Sequence, residues 1–161
     1  MKFCDRNILF FMLAIGIAAA LGACSKTAET IGFDLDANGS ALRGYDAVAY
    51  FAVNSAVKGD AKYQYVWNGA KWFFSSEENM NRFKADPEAF APQFGGYCSY
   101  AVSEGYTANG DPEAWKVVGG KLYLNYSPKV KEMWEREQND RIEKGNKNWQ
   151  GFKTKKPEHK G

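Results

Sequence analysis

The chain has 161 residues, enough for one ordinary domain, and a formal net charge of +2. So small a charge excludes the long-range field that nucleic-acid binding draws on, while an aromatic content of 16% provides a core that needs no disulfide staples. Lys2 and Arg6 open the chain, and Ile8 to Ala20 is an uninterrupted run of apolar and small residues. That run falls short of the ~20 residues a membrane-spanning helix needs. A positive start, an apolar stretch and then small residues predict a secretory signal peptide over residues 1–23.

Leu21-Gly22-Ala23-Cys24 closes that segment and resembles the lipobox of bacterial lipoproteins. The resemblance implies that Cys24 is acylated and becomes the new amino terminus, on the periplasmic side of the cell envelope. Ser25 stands where an acidic residue would mark inner-membrane retention, which favours the outer membrane. Residues 24–43 are expected to be the lipidated cysteine and a polar tether, residues 44–152 the folded domain, and residues 153–161 a basic tail that frays.

Within the domain, Tyr63 to Trp67 alternates aromatics, and Asn68-Gly69 follows as the dipeptide best suited to a type I′ turn. Ala70 to Phe74 returns as the second strand. Ser75 with Glu78 predicts a capped helix start, and Asp86-Pro87 predicts a stop followed by a second helix carrying Phe90 and Phe94. After Cys98 the chain reads as sheet and loop. Trp115 to Val118, Gly119-Gly120 and Lys121 to Asn125 predict a second hairpin. Ser127-Pro128 caps a last helix that Gly145 ends, with Trp149 and Phe152 docking on the core. The order implies an α+β fold: a small antiparallel sheet built from two hairpins with helices packed on one face.

Chemistry concentrates at Gly95-Gly96-Tyr97-Cys98-Ser99-Tyr100. Cys4 leaves with the signal and Cys24 carries lipid, so Cys98 has no partner in an exported protein. It is open to three readings: a small buried hydrophobe, the lining of a binding site, or a redox or metal-handling thiol. Tyr45, Asp46 and Tyr50 can present hydroxyls and a carboxylate to a ligand, or serve as turn former and half-buried core. Trp115 and Lys116 can stack and charge-pair with a ligand, or be core and solvated surface. The ligand-binding set is therefore Tyr45, Asp46, Tyr50, Tyr97, Cys98, Tyr100, Trp115 and Lys116. These are expected to meet at one small aromatic pocket, with Cys98 at its wall and Asp46 near its rim. No catalytic and no metal-ligating residue is assigned.

Gly44-Tyr45-Asp46-Ala47-Val48-Ala49-Tyr50-Phe51, Trp72-Phe73-Phe74-Ser75-Ser76-Glu77-Glu78-Asn79 and Phe83-Lys84-Ala85-Asp86-Pro87-Glu88 resemble the YHS-domain family. Gly95-Gly96-Tyr97-Cys98, Asp111 to Lys116 and Gly120 to Asn125 extend the likeness to a longer bacterial exported subgroup. Short metal-associated YHS modules carry three cysteines whose positions fall here at Ala49, Ser75 and Asn79. None is cysteine, so the resemblance implies the fold and not a soft-metal site at those positions.

The expected function is that of a lipid-anchored periplasmic binding module, non-catalytic, with membrane contact through Cys24, a small-molecule ligand and no nucleic acid. Its ligand and cofactors are unknown. Two alternatives are a thiol-dependent redox or metal-handling envelope protein using Cys98, which demands an accessible and ionisable thiol, and an envelope interaction scaffold, which demands a large exposed apolar patch.

Overall fold

The computed structural model describes residues 32–152, 154 and 158–160. The expected signal peptide and the acylated Cys24 lie outside the described residues. Among those that are described, no helix is long and apolar enough to cross a membrane.

After a single 3-10 turn, α1 (Ala49–Ala52) leads into the first hairpin, β1 (Asp60–Trp67) and β2 (Ala70–Phe74). Asn68 and Gly69 both adopt positive φ, 48° and 77°, as a type I′ turn requires. Then follow α2 (Glu77–Ala85), α3 (Pro87–Phe90), a 3-10 turn over Gln93–Gly96, and α4 (Ser99–Ser103). The second hairpin is β3 (Asp111–Val118) and β4 (Lys121–Asn125), and α5 (Pro128–Arg136) and α6 (Gln138–Phe152) complete the fold.

The fold is α+β, but the two hairpins remain separate two-stranded antiparallel sheets instead of joining into one. The reason lies at the strand edges. Ser40 bridges to Lys71 of β2 and Cys98 bridges to Leu124 of β4, so the outer edges of these two strands are each met by a nearby segment. β4 instead joins two cores through its two-residue alternation. Leu122 and Leu124 pack with Trp72, Phe74 and Phe83 of the first hairpin and α2. Tyr123, between them, packs with Phe94, Val102, Trp134 and Phe152, the helical side.

Several boundaries differ from expectation. The Cys98 segment opens a short helix rather than a strand. Ser76, not Ser75, caps α2 by accepting from the Asn79 N–H at 3.1 Å. α6 runs straight through Gly145, because a Cβ there would lie 2.7 Å from Cζ of Phe94. The glycine is a close-approach residue that lets the helix sit on that ring, and its cost in helix propensity, about 1 kcal/mol, is offset by packing.

The expected tether is, from Phe33 on, part of the domain. Phe33 stacks edge-on against Trp72 at 5.1 Å and tilts against Trp67 at 5.6 Å. The Asp34 N–H donates to the Gly95 carbonyl at 2.8 Å, and Ala41 and Leu42 are buried. The end of the chain is also engaged where it is described. The Thr107 N–H donates to the Glu158 carbonyl at 2.8 Å, and the Lys160 N–H donates to the Thr107 carbonyl at 2.7 Å. Thr107 is buried, so its backbone groups need such partners, and the tail supplies them.

Candidate functional site

The eight residues assigned from sequence do not converge. Tyr50 and Trp115 do meet, their rings edge to face at 5.0 Å, and the Tyr50 hydroxyl donates to the Pro112 carbonyl at 3.1 Å. Tyr45 reaches the same strand, its hydroxyl donating to Glu113 at 2.9 Å while the Lys58 ammonium sits 4.2 Å above its ring. Lys116 is engaged by Glu135 of α5 at 3.0 Å. Tyr97 and Tyr100 belong to the helical core instead. Tyr97 packs on Trp149 at 6.2 Å, and the Arg141 guanidinium lies 4.2 Å over the ring of Tyr100.

Cys98 is 1% exposed and packs among Ala101 and Ala108, so it is core and not the wall of a pocket. Its Sγ faces the Asn125 side-chain oxygen at 3.9 Å, and that oxygen also accepts from the Tyr100 N–H at 3.2 Å. Burial pushes the thiol above its ordinary value of 9.0. Among the described residues its side-chain partner is an amide and not a base, so the enclosed sulfur stays protonated and out of reach. Two outcomes follow. Under native conditions Cys98 resists thiol reagents and labels once denaturant unfolds the chain; stoichiometric native labelling would contradict the packing. Burial likewise raises Tyr50, Tyr97 and Tyr123 above the ordinary 10.0. A raised folded value means stability that is fully present below the unfolded value and lost as pH rises through the folded one. Denaturant midpoints should therefore hold up to about pH 9 and fall above it.

Asp46 is not at a rim. It is fully buried, and its carboxylate gathers five donors. Oδ1 accepts from the N–H groups of Val48 (2.8 Å) and Ala49 (3.3 Å). Oδ2 accepts from the Ser75 N–H (2.8 Å), the Ser75 hydroxyl (2.6 Å) and the Asn79 amide (2.7 Å). This knot ties α1 to the end of β2 and the first turn of α2. Ala49, Ser75 and Asn79 all converge on it. Among the described residues there is no group of three or more His, Cys, Asp or Glu side chains placed to hold a metal ion.

A concave site with aromatic lining lies elsewhere, against the 3-10 turn that carries Gly95. It is a cleft of about 560 Å³. Its aromatic lining is Phe33, Trp67, Phe94 and Trp149. Between them stand the side chains of Asn68, Gln93, Asn146 and Gln150, with Glu88 and Lys121 supplying one charge of each sign. The turn itself is shaped by consecutive left-handed residues, Phe94 at φ 55° and Gly95 at φ 62°. Sequence reasoning singled out the Gly95 backbone but missed the walls, because they come from four separate stretches of chain. The crowding of Asn146, Asn148, Trp149 and Gln150 on the last helix was the available signal.

Compared with known proteins, residues 48–94 match the family model of the YHS domain. No curated protein and no solved structure matches the chain.

Proposed function

We propose that this chain, which carries a YHS domain at residues 48–94, is a non-catalytic binding module of the bacterial cell envelope. In this reading it is held on the periplasmic side, at the outer membrane, by lipid on Cys24, and its ligand site is the cleft beside Gly95. The observation that carries the reading is the composition of that cleft: half-buried aromatic walls with six polar or charged residues among its lining, in a volume within the range of small-ligand pockets. The YHS segment supplies one side, including Trp67 and Gln93, and the flanking parts of the chain supply the other, Phe33 and Trp149. The enclosed, protonated Cys98 argues against the thiol-dependent alternative.

The anchor and the cleft are close along the chain. Gly32 is part of the cleft lining, eight residues after Cys24, a separation that even fully extended spans at most about 30 Å. A cleft so placed works near the membrane surface. Native mass spectrometry of the mature protein extracted from its own envelope tests both halves of the proposal. The expected spectrum shows the chain from Cys24 with acyl mass and a population with a further bound small molecule. An unacylated chain, or one that never carries added ligand mass, overturns the corresponding half.

A further inference from the structure

We infer that the cleft beside Gly95 takes a neutral saccharide, an inference that rests on the cleft being the ligand site. The walls are rigid. Trp67 is held by Trp72 at 5.8 Å and Phe83 at 5.7 Å, and Trp149 by Phe94 and Phe152, both at 5.9 Å. Both indoles are half-buried and keep part of their surface toward the cleft. Such fixed aromatic surfaces suit a flat ligand with an apolar face, as a pyranose ring has on its C–H side.

The polar lining narrows the class. Asn68, Gln93, Asn146 and Gln150 present carboxamides, each offering two donors and an acceptor. Among the described residues none of the four is paired through its side chain with another protein group. Hydroxyls, which donate and accept at once, match that set; a purely apolar ligand would strip water from the amides without replacing its hydrogen bonds. Glu88 and Lys121 cancel in charge, so an anion such as a phosphate gains no net attraction. The neutral saccharide can be free or borne on a lipid headgroup.

The test uses the full mature chain in a saccharide-free detergent, with the indole N–H resonances followed by NMR. Chitotetraose and cellotetraose are the soluble probes, and vesicles with and without a neutral glycolipid are the membrane arm. The expected result is movement of the Trp67 and Trp149 signals, with a Kd of about 1 mM for a short soluble probe, while the buried Trp72 and Trp134 signals stay still. Asn146→Ala with Gln150→Ala, both exposed positions, should weaken this by about tenfold with the fold unchanged. Response to glycolipid vesicles alone assigns the saccharide to a lipid headgroup; response to the soluble probes assigns it to a free glycan. Unmoved indoles in every arm, or unchanged affinity in the double variant, overturn the inference. Movement with tetra-alanine and none with saccharide overturns the ligand class and leaves the cleft standing as the binding site.

Discussion

Replacing Asp46 by alanine should cost the fold about 3 kcal/mol or more, the largest single effect expected at a polar residue of this chain. The carboxylate is fully buried and every group around it is a donor: three backbone N–H groups, one hydroxyl and one amide. Removing it takes the side-chain acceptor from all five. The Ala49 N–H keeps the Asp46 carbonyl and the Asn79 amide keeps the Ser75 hydroxyl, so the cost falls on the Val48 N–H at the buried end of the knot and on the lost tie between α1 and β2. Asp46→Asn is the sharper variant, because it preserves volume. One oxygen becomes an NH₂ group that must face either the N–H pair of α1 or the Ser75 and Asn79 donors, so about 2 kcal/mol should still be lost. Urea unfolding of the two variants measures this. An Asp46→Asn midpoint within experimental error of the parent would mean that the knot is not a network of that strength. One buried carboxylate thus ties together Ala49, Ser75 and Asn79, the last two far from it in the sequence.

Much of the fold was legible because its signals are local. Asn68-Gly69 fixes the first turn by its two left-handed residues, and Asp86-Pro87 and Ser127-Pro128 each cap a helix with the expected hydrogen bond, from Ala89 at 3.2 Å and Val130 at 3.3 Å. The misreadings have long-range causes. Ser75 looked like the cap of α2 until its hydroxyl was committed to Asp46, twenty-nine positions away in the sequence, leaving the cap to Ser76. Gly145 looked like a helix end because nothing nearby shows that Phe94 will press on it. Cys98 drew attention as a thiol without a partner, yet its surroundings are set by Asn125 and Ala108. The cleft was the least legible feature, since its walls become neighbours only when the segment before Gly39 folds back and α6 extends past Gly145.

That fold-back makes Gly95→Ala the second large effect, and the one that reports on the cleft. Gly95 sits at φ 62°, where an L side chain costs roughly 1–2 kcal/mol. A Cβ there would also lie 2.4 Å from the Gly32 carbonyl oxygen and 3.3 Å from Cα of Phe33, both backbone atoms with no freedom to swing aside. The segment from Gly32 to Asp34 must lift. That breaks the hydrogen bond from the Asp34 N–H to the Gly95 carbonyl and draws Phe33 away from Trp67 and Trp72. Strain, one hydrogen bond and part of a phenyl ring's burial together amount to about 3 kcal/mol. Gly69→Ala is the control: its φ is equally left-handed, 77°, but nothing lies within 4 Å of the added carbon, so it carries strain without collision. Gly95→Ala should therefore fall further in denaturant midpoint than Gly69→Ala, and the Asp34 amide should lose its protection from hydrogen exchange while the amides of β4 keep theirs. Equal losses in the two variants, or an Asp34 amide still protected, would mean that the segment accommodates the methyl group and that Phe33 is not held in the cleft wall by this contact. With the segment lifted, the cleft loses one of its four aromatic lining residues and ligand binding should weaken even in the molecules that remain folded.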